Sequence, residues 1–166
     1  GMLYLAGSIR KPGRVDHKDS FLDNYGLERE RGITIFSKQA VIKWKDTEIT
    51  LLDTPGHADF SAEMERTLNI LDYAVLVISG TDGVQPHTST LWKLLQRYRI
   101  PVFIFINKMD IADRERADII KELRSRLDGG CTSFSDGMDE EFYENLALSD
   151  EKVLDYYMEN GDVTIQ

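Results

Sequence analysis

Two short polar segments hold the residue types from which a nucleotide site can be built. Asp53-Thr54-Pro55-Gly56-His57 comes first; Asn107-Lys108-Met109-Asp110 follows, with Asn107 54 positions after Asp53 (107 − 53). The Asp110 carboxylate can accept two parallel hydrogen bonds. Guanine presents an N–H and an NH₂ side by side, whereas adenine has an acceptor where guanine has the N–H. An Asp at this position therefore rewards one base and repels the other. Asn107 can meet the other polar edge of such a ring or tie loops together, and Lys108 can lay its aliphatic stem across a base. Taken alone, the same four residues also make an ordinary polar turn, because short motifs recur by chance.

The earlier segment suits the phosphate end of a nucleotide. A strand-terminal Asp53 can hold Mg²⁺ through water. Gly56 lets a backbone N–H approach a terminal phosphate that a Cβ would keep away. His57 can orient a water for attack on that phosphate. Singly, Pro55-Gly56 is a common turn pair and His57 a surface or capping histidine. Two segments in order, each at a strand end, favour the functional reading of both.

The elements that must position them can be read from periodicity. Residues 3–9 (Leu3, Tyr4, Leu5, Ile9) suit the end of a helix with Gly7 near its stop, and residues 10–36 are polar, charged and loop-like. Residues 39–44 and 48–53 are β-branched or apolar and joined by Lys45-Asp46-Thr47, a hairpin pattern. An amphipathic helix follows with Phe60, Met64 and Leu68 at spacing four, then an apolar strand over residues 74–78. Pro86 opens a helix carrying Leu91, Leu94, Leu95 and Tyr98; residues 102–106 form a second wholly apolar strand. The next helix carries Ile119, Ile120, Leu123 and Leu127, and two more are expected over 139–148 and 149–160, the last capped by Ser149 or Asp150 and stopped by Gly161. Strands that are apolar throughout are expected to be covered on both faces, and their alternation with helices predicts a parallel α/β sheet. Trp44 and Trp92 read as packing residues. Both polar segments fall beyond the carboxyl ends of strands, where open α/β sheets bind ligands.

Composition narrows the function class. The 166 residues, 42% hydrophobic and 30% charged, suit one domain over 1–166, with 129–166 as a peripheral helical extension. No apolar run is long enough to span a bilayer, the N-terminus has no signal-peptide pattern, and Gly1 before Met2 looks like a scar of tag removal. One cysteine, Cys131, allows no intrachain disulfide and suits the cytoplasm; its neighbours offer no base. The net charge of −9 argues against strong direct nucleic-acid binding by the whole surface, although residues 8–45 are richer in Lys and Arg.

With these residues in view, the chain resembles the GTP-binding domain of a translational GTPase. Arg29-Glu30-Arg31-Gly32-Ile33-Thr34-Ile35 is similar to the family's first switch, in which the Thr, here Thr34, ligates Mg²⁺. Residues 53–57 match the second switch, including the histidine of ribosome-activated members, and 107–110 match the guanine-specificity motif. Gly13-Arg14-Val15-Asp16-His17 and Asp19-Ser20-Phe21-Leu22-Asp23 look most like the tetracycline-resistance ribosomal protection proteins, relatives of elongation factor G. The resemblance implies a P-loop NTPase-like α/β sheet with flanking helices, GTP or GDP with Mg²⁺, the ribosome as partner and no membrane. It implies Thr34 and Asp53 at the metal, Gly56 and His57 at the hydrolytic centre, and Asn107, Lys108 and Asp110 at the base.

The sequence departs from that pattern in one respect with a physical cost. No segment fits G-x-x-x-x-G-K-[ST], the loop that cradles phosphates; Gly7 to Gly13 has five intervening residues and is followed by Arg14-Val15. The expectation is a domain truncated at both ends, lacking the first strand and phosphate loop and stopping short of the family's Ser-Ala loop. Such a loop supplies a Lys and several backbone N–H bonds, each about 1.5–3 kcal/mol. Without three or four of these, on the order of 5–10 kcal/mol is lost, enough to turn a nanomolar site into a roughly millimolar one. The strands flanking a missing first strand are then expected to pair directly or to form a homodimer through an exposed sheet edge. The other reading is a non-catalytic remnant or interaction module derived from such a GTPase.

Overall fold

The computed structural model describes residues 2–7, 37–55, 61–134, 137, 140–148 and 151–160. Contacts divide the chain into two units, Gly1–Asp72 with Arg97–Ile100 and Tyr73–Gln96 with Pro101–Gln166.

In the first unit, helix α1 (Met2–Leu5) ends as its sequence predicts, with Gly7 at φ 70° and its N–H bonded to the Tyr4 carbonyl at 3.0 Å. Strands β1 (Lys38–Trp44) and β2 (Thr47–Asp53) form the expected antiparallel hairpin, in register from Trp44↔Thr47 to Lys38↔Asp53. The turn is two residues rather than three: Thr47 already pairs, and Lys45 bends the chain at φ 52°. Ile42 is buried, whereas Trp44, at the turn end, stays 52% exposed and is not the core residue its type suggested. Helix α2 (Ser61–Leu68) buries Met64 and Leu68 at the predicted spacing of four. Its Thr67 hydroxyl donates to the Met64 carbonyl at 2.7 Å, which satisfies a buried polar group inside the helix.

In the second unit, β3 (Ala74–Ser79) and β4 (Val102–Asn107) pair in parallel, from Ala74↔Val102 to Ser79↔Asn107. Helix α3 (Pro86–Arg97) begins on Pro86, whose missing N–H costs nothing in a first turn. Helix α4 (Arg116–Arg126) has Asp118 in its first turn and Arg124 and Arg126 in its last, charges that complement the helix dipole. Its Ile119 and Leu123 bury against Leu76, Ile78 and Val84, with Leu91, Trp92 and Ile104 packed around them.

The opposite face of this sheet differs from the expectation. Val75, Val77, Phe103 and Phe105 alternate with the buried set and are each about half exposed or more. Among the described residues only one face of the two-stranded sheet is covered, so strict alternation leaves the other apolar row outward. An aromatic row leads off it: Tyr73 to Phe103 (6.1 Å between centroids), Phe103 to Phe134 (6.0 Å) and Phe134 to Phe142 (5.1 Å). Phe142 belongs to α5 (Glu140–Ala147), which precedes α6 (Glu151–Asn160); both helices stand where the sequence placed them.

Ile119, at 2% exposure the largest fully buried side chain among the described residues, tests this core. Ile119→Ala is expected to cost about 2–5 kcal/mol in urea unfolding, and Val77→Thr on the open face less than about 1 kcal/mol.

Candidate functional site

Parallel pairing puts the carboxyl ends of β3 and β4 at the same edge, and both chains turn there. Gly80, the first residue past β3, donates its N–H to the Asn107 carbonyl at 2.7 Å, which extends the ladder by one step. Gly80 is buried, and a Cβ on it would stand 2.6 Å from Met109 Sδ and 3.2 Å from the Asn107 carbonyl oxygen. The bare Cα thus makes room for Met109, which packs against the core. Met109 anchors the turn from inside while Asn107, Lys108 and Asp110 stand exposed.

The turn itself is held tightly. Lys108 lies in the left-handed region at φ 60°, which is uncommon and costly for a residue with a Cβ. Two hydrogen bonds support it: Lys108 N–H donates to Asn107 Oδ1 at 2.9 Å, and Ile111 N–H donates to the Lys108 carbonyl at 3.3 Å. The Asn107 side chain thus bonds within its own turn. With its oxygen engaged, what Asn107 offers a ligand is its NH₂. Asp110 offers an acceptor-only carboxylate a few residues away, and Lys108 a cation on an apolar stem. A donor, a flat apolar stem and a bidentate acceptor on one exposed turn are the groups needed to grip a purine edge.

A second polar knot braces the same end of the sheet. Glu122, on α4, accepts from the Val84 backbone N–H at 3.1 Å, from Arg114 at 2.7 Å and from Arg126 at 3.0 Å. Burial pushes its carboxyl pKa up, but the hydrogen bonds from Arg114, Val84 and Arg126 outweigh that and hold it below its ordinary 4.5. Gly83, at φ 66°, sits under the pair: a Cβ there would come within 2.5 Å of Glu122 Oε2 and 2.6 Å of Arg114 Nη1. Neither Gly80, Gly83 nor Glu122 stood out in the sequence. The one local signal was the i,i+4 pair of Glu122 and Arg126.

The other expected site residues divide as follows. Asp53 ends β2 as predicted, half-buried opposite Lys38. Its carboxylate at a strand end is of the hard-oxygen type that suits Mg²⁺. Thr34, Gly56 and His57 lie outside the described residues, and residues 107–110 stand together on one turn. Burial and the Asp128 charge push the Cys131 thiol up, which agrees with a cysteine that is no nucleophile. A groove of about 800 Å³ runs along α4 past Glu115, Lys121, Arg124 and Ser133, and none of residues 107–110 lines it. No described helix is long and apolar enough to cross a membrane.

Comparison with known proteins agrees with the α/β fold. Residues 1–164 match the family described as the elongation factor Tu GTP binding domain. The chain is 34% identical over 168 aligned positions to tetracycline resistance protein TetO of Streptococcus mutans, covering 95% of this chain and 26% of that protein. It is 41% identical over 126 positions to tetracycline resistance protein TetP of Clostridium perfringens, covering 76% and 19% of the two chains. It is 42% identical over 134 positions to an oxytetracycline resistance protein of Streptomyces rimosus, covering 81% and 20%. The chain thus spans about a quarter or less of the length of these relatives. A solved structure from Thermus thermophilus superposes with a TM-score of 0.79 at 22% identity over 98% of this chain and 31% of its own, a likeness of fold.

Because the Glu122 pKa is lowered on folding, its contribution to stability is present above pH 4.5 and is lost as pH falls through the lowered folded value. Thermal melts of wild type and Glu122→Gln from pH 7 to pH 3 are expected to show a stability gap that is constant down to about pH 5 and closes on further acidification.

Proposed function

The chain belongs to the elongation factor Tu GTP-binding domain family, and on that premise we propose that it is guanine-nucleotide domain sequence from a ribosome-associated GTPase of the ribosomal-protection or elongation factor G type. Its α/β fold is G-domain-like. The observation that carries the proposal is the exposed turn Asn107–Lys108–Asp110, held at the carboxyl edge of a parallel pair by Met109 beneath Gly80. That arrangement supports a base-reading role: Asp110 accepts from the guanine N–H and NH₂, the NH₂ of Asn107 donates to an acceptor on the ring, and the Lys108 stem covers one face. At the phosphate end, Asp53 and Thr34 are the residues that would hold Mg²⁺, which would shield the phosphate charge. His57 would orient the attacking water, with Gly56 presenting its N–H to the terminal phosphate. The likeness to tetracycline resistance proteins supports a role in that kind of resistance, and a single cysteine suits a place in the cytoplasm.

The 166 residues contain no G-x-x-x-x-G-K-[ST] segment, so within them recognition of the base has no phosphate cradle to reinforce it. The proposed affinity is correspondingly weak, about millimolar. A fluorescent GDP titration checks this; a dissociation constant in the micromolar range or tighter overturns it.

A second reading, a non-catalytic interaction module, is favoured by one observation: the open apolar row of Val75, Val77, Phe103 and Phe105. Contiguous exposed apolar surface marks contact with another chain. Light scattering from micromolar to millimolar protein separates the readings, since self-association through the β3–β4 sheet or its edge raises the apparent mass and Val77→Lys abolishes the rise.

The base-reading role makes a chemical prediction. Xanthine replaces the guanine NH₂ by a carbonyl, which an amide donor matches and a carboxylate repels. Asp110→Asn is expected to weaken GDP binding about 10- to 100-fold, the loss of about 1.5–3 kcal/mol of charge-assisted hydrogen bonding, and to favour XDP over GDP. Nucleotide titrations followed by amide NMR shifts read both changes.

A further inference from the structure

We infer that Glu122 is a positioning residue for base selection: through Arg114 and the Val84 N–H it clamps the two loops that leave β3 and β4 and thereby sets where Asp110 stands. The inference rests on the base-reading role proposed for residues 107–110.

The loop that carries Asp110 is pinned at both ends. Its upstream end is fixed at Asn107, whose carbonyl accepts from Gly80 N–H at 2.7 Å. Its downstream end is fixed at Arg114, whose guanidinium donates to Glu122 Oε2 at 2.7 Å. Between these pins, Asp110 and Ile111 are exposed, Ile111 by 67%. Packing holds the loop at Met109, beneath Gly80, and leaves Asp110 and the exposed residue after it to the pins. Releasing one of them lengthens the free loop and multiplies its accessible arrangements.

Glu122 also holds the neighbouring loop, because its Oε1 accepts from Val84 N–H at 3.1 Å. Gly83 N–H in turn donates to the Ser79 carbonyl at 2.8 Å, which fixes that loop to the end of β3. One carboxylate thus spans both strand-end loops. Arg126, four residues on along α4, donates to Oε1 at 3.0 Å and fixes the carboxylate's rotamer. The absence of a Cβ at Gly83 is what lets the Arg114–Glu122 pair lie against the first loop. A charge-assisted clamp with three donors, one of them a backbone N–H, is built to hold geometry. Glu122 has no part in contacting a base; it acts through Arg114.

Misplacing Asp110 weakens recognition of the guanine NH₂ more than binding in general. Hypoxanthine lacks that NH₂, so the ratio of GDP to IDP affinity reports Asp110 alignment, whereas a loss of stability shifts both affinities alike. The test uses the 166-residue chain with GDP and IDP as probes, followed by amide NMR shifts well below the melting temperature. Glu122→Gln and, as a second variant, Arg114→Gln, which leaves the Val84 acceptor in place, are each expected to lower the GDP:IDP ratio at least threefold. Without nucleotide, amide hydrogen exchange at Lys108 and Ile111 is expected to rise at least tenfold in both variants, with Leu76 and Ile104 unchanged. Unchanged exchange at Lys108 and Ile111, or a rise matched at Leu76 and Ile104, overturns the clamp. An unchanged ratio alongside faster exchange overturns its role in selection. Should Glu122→Gln not fold, Arg114→Gln decides alone. A wild type with no preference for GDP over IDP overturns the base-reading role and with it the part of Glu122 in selection, while the exchange result still judges the clamp.

Discussion

The hydrogen bond from Gly80 N–H to the Asn107 carbonyl, 2.7 Å long, is the contact on which the candidate site depends. It lies one step past the last paired residues of β3 and β4 and joins the two loops at their roots. A residue with a side chain at position 80 would press on Met109 and on the Asn107 carbonyl itself. Met109 would then have to leave its place against the core, and the polar residues on either side would lose the anchor that turns them outward. The backbone bond, the missing Cβ and the half-buried thioether form one mechanical unit. Each part is ordinary; their coincidence at the carboxyl edge of a parallel pair gives Asn107, Lys108 and Asp110 a common outward face.

The charged residues of this unit are arranged on a different principle. An acidic chain with net charge −9 is expected to repel itself around its carboxylates. Around Glu122 the opposite holds, because Arg114 and Arg126 donate to one carboxylate while Val84 N–H supplies a third hydrogen bond. With a side-chain exposure of 19%, this carboxylate is dry enough for such bonds to matter and wet enough to avoid the full penalty of a buried ion. It links a helix to the two loops that leave the sheet.

Local pattern made much of this legible. The hairpin, the two apolar strands, their parallel pairing and the helices after them follow from period and turn residues, and the structure reproduces them within a residue or two. The residues expected at the base side are four adjacent ones, so that motif could be read without knowledge of the fold. What remained hidden is non-local. Val84 and Glu122 are 38 positions apart, and no period or spacing announces that one will donate to the other. Gly80 and Gly83 looked like turn residues, and only the neighbours a Cβ would meet show why they are glycine. Trp44 and the outward row of β3 and β4 deceived for a related reason: residue type indicates what prefers burial, while the number of covering elements determines what achieves it.

Lys108 shows what the turn gives up. At φ 60° a lysine sits where glycine would rest without strain, and on local energetics alone glycine would be the better occupant. Replacement by glycine would nonetheless remove the long stem and its charge, and would loosen the unfolded chain as well. The position is therefore a point of local strain, which the Asn107 side chain and the Ile111 N–H help to hold. Lys45 and Arg99 take the same left-handed conformation, at φ 52° and φ 55°, so such strain recurs along the chain, and what sets Lys108 apart is its place between Asn107 and Asp110.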